Sequence, residues 1–261
     1  MRTIFSVVLN CVVMIAMQRA FAQTDEMVLL PSGNYVPLYA AEKKPVEIQS
    51  FYLDKYPVTN QQFYEFVISH AEWAKENAKL VFAEENYLSH WKNIFIQLTN
   101  VDFANAPVTN ISWFAAKSYC ACLGKQLPTT DEWEYAAMAS ESKANGSSDS
   151  SYYQFILDWY SKPSPKQLPQ VGATVKNFYG IYDLHGLVWE WTLDFNSTLM
   201  TGDSRNSDES MNAMFCGAAA AGATSIKNYA AFQRFAFRSS LQANYAVLNL
   251  GFRCSKKSET P

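Results

Sequence analysis

The stretch from Asn177 to Asn196 constrains the fold more than any other part of this sequence. It combines closely spaced aromatic residues with two glycines, Gly180 and Gly186, and with three carboxylates. Aromatic rings at this density need a core on at least one face, and the glycines let the backbone turn between the apolar pieces. We therefore predict that residues 177–196, called the hub below, form a buried structural centre.

Composition favours one large domain and argues against a nucleic-acid partner. The chain has 261 residues, 49% of them hydrophobic, which is enough to bury a sizeable core. The formal net charge of −3 provides no positive field for a phosphate backbone. We therefore expect a protein or small-molecule partner, and the sequence does not identify it.

The N-terminus predicts an exported protein. Arg2 precedes an apolar run, and Ala-Phe-Ala ends at Ala22, which is the pattern of a signal peptide over residues 1–22. A retained N-terminal anchor is the alternative. Cleavage would leave no membrane span, and the mature chain would be periplasmic or secreted. We divide that chain into a lead over 23–45, a domain over 46–256 and a polar tail over 257–261.

Capping residues predict three helices. Thr59 with Gln62 and Thr129 with Glu132 form capping boxes, and Ser112 begins a helix that Gly124 ends. The apolar stripe of that middle helix is expected to contain Ala116, Tyr119, Cys120 and Leu123.

Residues 46–58 are predicted as one strand, since apolar and polar residues alternate from Val46 and Pro57 stops regular pairing. Residues 71–106 show no sustained period and predict an irregular insert.

Several stretches, in order, resemble the formylglycine-generating enzyme, or sulfatase-modifying factor, family. They are Phe51–Asn60, Pro107–Trp113, Tyr119–Ala136, Tyr179–Trp191 within the hub, and Asn249–Cys254. Ordered motifs spread over most of the chain are more specific than any single pattern. The resemblance implies an α+β fold, a single-domain variant of the C-type-lectin-like fold with much irregular structure.

The resemblance also implies which residues would carry oxidase chemistry. Copper-dependent members hold Cu(I) with two cysteine thiolates, and the matching positions here are Ser225 and Ala230. A shifted alignment brings Cys216 towards the first position but supplies no second cysteine. We therefore expect the copper chemistry to be lost, and the candidate site region comprises Cys216, Ser225, Tyr229 and Arg238.

Other metals have weaker support in the sequence. The iron-dependent members need a histidine-rich ligand set, which His70, His90 and His185 do not provide by their spacing. The family often binds calcium, so the resemblance implies a weak calcium site near Gly186 and Glu190. Leu187 replaces the asparagine ligand there, and the favoured alternative is that Glu190 makes a buried hydrogen bond or ion pair.

An exported chain with four cysteines after cleavage favours disulfides over metal ligation. The resemblance implies a Cys120–Cys254 disulfide, which would stabilise the fold by ~4 kcal/mol in the chain-entropy model. Cys122 and Cys216 are left with three alternatives: a second disulfide, two buried thiols, or a thiol pair suited to metal or redox work.

The residues and the family resemblance together support three hypotheses about function. The leading one is an accessory, binding or maturation factor without copper–cysteine chemistry. The alternatives are a divergent metal-dependent oxidoreductase acting on a peptide or small aromatic substrate, and a lectin-like binder of carbohydrate or peptide. Some segments resemble the subgroup encoded beside a copper-containing nitrite reductase, namely Cys216-Gly217, Asn228-Tyr229, Arg238–Ser240 and Phe195–Thr198.

Overall fold

The computed structural model describes residues 26–36, 44–146, 148–196 and 226–258. Within these residues the strands form one three-stranded sheet, ordered β1-β4-β7, and two two-stranded sheets, β2-β3 and β5-β6. All pairs are antiparallel except β5-β6, which is parallel. The strands are β1 (Met27–Leu30), β2 (Gly33–Tyr35), β3 (Val46–Ile48), β4 (Phe51–Asp54), β5 (Trp189–Glu190), β6 (Leu250–Gly251) and β7 (Ser255–Lys257).

The predicted strand over 46–58 is wrong in its continuity, because β3 and β4 belong to different sheets. Ile48 and Phe51 are both buried. In one continuous strand, residues three apart would point to opposite faces. The break at residues 49–50 is what lets both side chains enter the core.

The folded unit also extends beyond the predicted domain of 46–256. The lead over 23–45 contributes β1, which pairs with β4, and β2, which pairs with β3. At the other end, β7 reaches Lys257, the first residue of the predicted tail. The predicted signal peptide over 1–22 lies outside the described residues.

The helices are α1 (Asn60–Ser69), α2 (Ile94–Gln97), α3 (Val101–Ala104), α4 (Trp113–Cys122), α5 (Thr130–Ala137), α6 (Ser150–Tyr160) and α7 (Ile226–Ser239). All three predicted helix starts are confirmed. Thr59 with Gln62 and Thr129 with Glu132 form complete capping boxes, and the Ser112 side chain accepts a hydrogen bond from the Ala115 amide. No described helix is long and apolar enough to cross a bilayer.

Helix α4 ends where predicted, but its buried face contains only part of the predicted apolar stripe. Gly124 follows it at φ +65°, a left-handed conformation that suits glycine at a helix end. Ala116, Tyr119 and Cys120 are buried, whereas Leu123 is 49% exposed. Leu123 lies beyond the last helical residue, Cys122, so the helical period no longer directs it inward.

The main core gathers side chains from distant parts of the chain around Phe63. Its ring packs against those of Tyr119 and Phe252 with centroid separations of 5.9 and 6.1 Å. The hub contributes Trp191, whose indole nitrogen donates to the Ile111 carbonyl at 2.8 Å. The irregular insert supplies Trp91, so its lack of a period does not make it peripheral.

A disulfide joins Cys120 to Cys254 within this core, which is the pairing that the resemblance implies. Both residues are fully buried, and their Cα atoms are 5.6 Å apart. The bond spans a sequence separation of 134 residues and ties α4 to the chain just before β7. It therefore restricts the unfolded chain over about half its length.

Removing this disulfide should measurably weaken the fold. The Cys120→Ala/Cys254→Ala variant is expected to lose about 2–4 kcal/mol of unfolding free energy, because the unfolded chain regains loop freedom. Urea denaturation of the variant and the wild type measures the difference. Adding a reductant should lower the wild-type midpoint towards that of the variant and leave the variant unchanged. Equal midpoints for all samples would contradict the prediction.

Candidate functional site

The region that the resemblance assigns to oxidase chemistry includes part of α7, which packs against α6. Ala230, which the resemblance matches to the second copper-ligand position, is fully buried in a cluster with Tyr153 and Ile156. The neighbouring Tyr229 is 41% exposed, and its hydroxyl accepts a hydrogen bond from Gln233 at 2.8 Å. The other two candidates, Cys216 and Ser225, lie outside the described residues.

Arg238, the fourth candidate, belongs to a buried ion cluster with Arg234 and Glu134, called the Glu134 cluster below. Arg234 donates to Glu134 through Nε at 2.8 Å and through Nη2 at 2.7 Å, and Arg238 donates through Nη1 at 2.6 Å. Burial raises the pKa of Glu134, but the two guanidinium charges and their hydrogen bonds outweigh it and lower the pKa to about 2. Arg238 is thus held by a carboxylate on α5.

Trp133 connects this cluster to a second buried ion pair. The Arg238 guanidinium carbon lies 4.8 Å from the centroid of the Trp133 ring, which is within cation–π range. On its other side the indole nitrogen of Trp133 donates to Glu190 at 2.7 Å. Trp133 therefore links Arg238 of α7 to Glu190 of the hub.

Glu190 forms a buried ion pair, the alternative favoured for it on sequence grounds. Arg253 donates to its two oxygens through Nε at 3.0 and 2.8 Å and through Nη2 at 2.8 Å. Neither side chain has any solvent exposure. The Glu190 carboxylate is thus fully engaged by protein donors.

The weak calcium site near Gly186 and Glu190 stays a prediction. Gly186 lies at φ +104°, and a Cβ added there would come within 3.1 Å of Thr174 and 3.2 Å of Phe155. The positive φ therefore favours glycine at this position, and any side chain there would crowd Thr174 and Phe155. A rise in melting temperature on adding Ca²⁺ to chelator-treated protein would support the site.

Aromatic rings close the surface between α6, α7 and the hub. Trp189 stacks on Tyr160 at 4.8 Å and on Phe237 at 4.5 Å, and Trp159 lies 5.3 Å away. The space left between these rings and the Glu134 cluster is about 10 Å³, which is the least that holds one water molecule. The described residues of this region therefore form a packed aromatic surface.

His185 is buried in the hub beside this region. Its Nε2 donates to the Ala137 carbonyl at 3.3 Å, and its ring packs edge-on against Trp133 and Tyr152. Nδ1 is buried without a partner in the described part of the chain. Burial lowers the pKa of His185 to about 3, helped by the charge of Arg234, so the imidazole is neutral in the folded protein.

The buried histidines predict sensitivity to moderate acid. Burial also lowers the pKa of His90, to about 4. In the unfolded chain His90 and His185 bind protons near pH 6.5, whereas in the folded chain they bind them only near pH 3–4. The free energy of unfolding therefore falls as pH falls from 6.5 towards 4. We expect a slope near 1 kcal/mol per pH unit per histidine between pH 6 and 5. Urea midpoints measured across that range should fall less steeply in His185→Phe, and an unchanged slope would refute this origin.

The described residues contain no group of three or more histidine, cysteine or acidic side chains placed to hold a metal ion. His70 instead stacks on Phe66 at 4.5 Å, and Nε2 of His90 lies 3.3 Å from the Asn60 side-chain oxygen.

Cys122 is an exposed free thiol, which donates to the Tyr119 carbonyl at 3.0 Å. Its exposure rules out the alternative of two buried thiols. Partial burial still raises the pKa of the thiol, which lowers its reactivity near pH 7.

A separate cavity of about 350 Å³ lies beside Asn60 and His90. It is open to one side and lined by residues of α1, the irregular insert, the segment 107–109, the loop 164–168 and Leu248. The sequence does not reveal this cavity, because its walls come from five separated stretches without a shared motif. Its volume falls within the range of small-molecule sites.

Comparison with known proteins agrees with the resemblance. The family model described as the sulfatase-modifying factor enzyme 1-like domain matches residues 14–258. Among the relatives, the inactive C-alpha-formylglycine-generating enzyme 2 of Bos taurus is 25% identical over 92% of this chain and 90% of its own length. The formylglycine-generating enzyme of Mus musculus is 26% identical over 82% of this chain and 68% of its own length.

A further relative is a much longer protein. The serine/threonine-protein kinase pkn1 of Chlamydia caviae is 28% identical over 65% of this chain, and the match spans only 28% of the kinase.

Among solved structures, CarF superposes with a TM-score of 0.50 at 15% identity, covering 90% of this chain and 98% of its own. At that identity the likeness shows the fold alone, and it confirms the predicted α+β single-domain fold. On the family match and the ordered motifs together, the chain belongs to the sulfatase-modifying factor enzyme 1-like domain family.

Proposed function

We propose that this protein is a non-catalytic member of its family that acts by binding, as an accessory or maturation factor. The observation that carries the proposal is the position of Ala230. A copper-binding thiolate at that place would have to approach a metal, but the residue is fully buried and packs with Tyr153 and Ile156. Cysteine is also absent from position 225.

The surroundings of Ala230 support the same conclusion. The Glu134 cluster fixes Arg234 and Arg238 on α7, so the helix is held by charges as well as by apolar contacts. The similarity to relatives named as inactive C-alpha-formylglycine-generating enzyme 2 agrees with a family member without oxidase activity.

Peptide oxidation tests the proposal. Purified protein would be incubated with a sulfatase-type cysteine peptide, Cu(I) and oxygen, with the mouse formylglycine-generating enzyme run in parallel. Mass spectrometry should show the peptide cysteine converted to an aldehyde by the mouse enzyme and unchanged by this protein. Copper-dependent conversion by this protein would overturn the proposal.

We propose further that the protein is exported and works beside a copper-containing nitrite reductase. The basic start, apolar run and Ala-Phe-Ala site support export, and the segments that resemble the nitrite-reductase subgroup support the association. Mass spectrometry of the exported fraction should find a mature N-terminus at Gln23. Pull-down with purified nitrite reductase should retain the protein, and an intact N-terminus or a lack of retention would refute the corresponding part.

A further inference from the structure

The cavity beside Asn60 lies apart from the region assigned to oxidase chemistry, and the charge of its lining indicates what it could bind. Among the described residues, its lining contains one cationic side chain, Lys166, and no carboxylate. Lys166 is exposed and makes no ion pair with any described residue. The nearby Asp102 accepts a hydrogen bond from Gln170 at 2.7 Å and does not line the cavity. In the described part of the chain, the cavity wall therefore carries a positive charge without a counter-charge.

His90, the other titratable group of the lining, adds no charge to the cavity. Burial lowers its pKa to about 4, and the positive charge of Lys75 contributes to this. Its Nε2 lies 3.3 Å from the Asn60 side-chain oxygen, to which the Trp91 indole also donates at 2.8 Å. Near neutral pH, Lys166 is therefore the charged side chain of the described lining.

The remaining lining divides into a fixed wall and an apolar floor. The side-chain amide nitrogen of Asn60, Nδ2, donates to the backbone carbonyls of Phe103 and Ala106 at 3.0 and 3.2 Å. Gln97 donates to the His90 carbonyl at 3.0 Å and accepts from two backbone amides. These groups are held in place before any ligand arrives, which reduces the cost of ordering on binding. The apolar floor consists of Phe103, Ala106, Pro107 and Leu248.

The opposite wall is a loop with few internal restraints. Residues 164–168 are mostly exposed and make no backbone hydrogen bond to the described part of the chain. Just beyond them, the Val171 amide donates to the Asn105 carbonyl at 2.9 Å and fixes the end of the loop. Few restraints between a fixed end and α6 allow the loop to adjust around a ligand.

We propose that this cavity binds a small organic carboxylate. The apolar part of the ligand lies against Phe103, Pro107 and Leu248, and its carboxylate faces Lys166. The proposal rests on the binding role given under the proposed function, and it names the class of ligand for that role.

Calorimetric titration with matched probes tests it. The probes are benzoate and N-acetyl-L-phenylalanine, each paired with its uncharged amide. Each carboxylate should bind about fivefold more tightly than its amide, as an exposed ion pair of about 1 kcal/mol requires. Lys166→Gln should remove that preference and leave amide binding unchanged. Lys162→Gln, an exposed lysine four residues earlier that does not line the cavity, should keep it.

A second variant tests the place of binding. Leu248→Trp should fill the floor and abolish binding of all four probes, while circular dichroism confirms that the variant is folded. The inference is overturned if no carboxylate probe binds, if the amides bind equally well, or if the preference survives in Lys166→Gln. None of these results would contradict the proposed lack of oxidase activity. That proposal would be overturned only by copper-dependent peptide oxidation, whatever the titrations show.

Discussion

Glu134→Gln is expected to lower the free energy of unfolding by about 5 kcal/mol, near the upper end for breaking a buried ion pair. Glu134 is the only described carboxylate that pairs with Arg234 and Arg238, and all three side chains are at most 10% exposed. Glutamine keeps the shape but removes the charge. Two guanidinium groups would then be buried without compensation, which costs more than the lost contacts alone.

Urea denaturation measures this loss against two companion variants. Glu141→Gln changes an exposed carboxylate near the end of α5 and should stay within about 0.5 kcal/mol of the wild type. A triple variant, Glu134→Leu/Arg234→Met/Arg238→Met, should recover most of the loss, since apolar residues can replace a buried ion cluster at little cost. A Glu134→Gln loss below about 1 kcal/mol would show that the Glu134 cluster does not hold α7 in place.

Strong acid provides a second test of the same cluster. The pKa of Glu134 is lowered from 4.5 to about 2 in the folded protein. A lowered carboxyl pKa contributes stability that is present above the unfolded pKa and lost as pH falls from 4.5 towards 2. That loss is expected in the wild type and not in the triple variant, after the histidine contribution at higher pH is allowed for.

Arg253→Met is the second substitution with a large expected effect, also about 4–5 kcal/mol. Besides its pair with Glu190, Arg253 donates to the carbonyls of Asp54 at 3.0 Å and Tyr182 at 2.8 Å. Its side chain therefore joins β4, the hub and the C-terminal segment in one buried network. Methionine would leave Glu190 charged and buried, and would leave these carbonyls without their donor.

Two further variants separate charge from geometry at this position. Arg253→Lys keeps the charge, but its compact ammonium group cannot donate to all of these acceptors, so an intermediate loss is expected. Lys256→Gln changes an exposed side chain of β7, serves as the control and should have little effect. If Arg253→Met proves as stable as this control, the buried network does not stabilise the fold.

Local chemistry explains which elements could be predicted from the sequence. The helix starts at Thr59, Ser112 and Thr129 depend on side chains within three residues of the cap, so the pattern is visible in a short window. The hub is visible for a similar reason, since its ring density requires burial. Trp191 and Ile181 are indeed fully buried.

Helix α7 could not be predicted in the same way. Its inward face contains Arg234 and Arg238, which interrupt the apolar stripe that marks a buried helix face. These arginines are buried because Glu134, a hundred residues earlier, neutralises them. Only the three-dimensional arrangement shows that partner.

Helix α6 has a weaker sequence signal. Asp149 caps it, and Tyr153 and Ile156 follow at the spacing of one helix face. The preceding serine-rich stretch favours a loop interpretation that extends past the cap. The sequence shows that positions 225 and 230 are not cysteine, but the packing around Ala230 depends on both α6 and α7.

The central claim is that Ala230, which the resemblance matches to the second copper-ligand position, belongs to a packed helix interface. Thiol labelling tests it most directly, using Ala230→Cys and Tyr229→Cys in a background with Cys122 and Cys216 replaced by serine. The adjacent positions differ sharply in exposure, 0% for Ala230 and 41% for Tyr229. We predict that the cysteine at position 229 reacts with a maleimide at the rate of an exposed thiol. The cysteine at position 230 should react at least ~100-fold more slowly, because it becomes accessible only when the α6–α7 interface opens locally. Equal labelling rates in the folded protein would show an accessible position 230 and would contradict the claim.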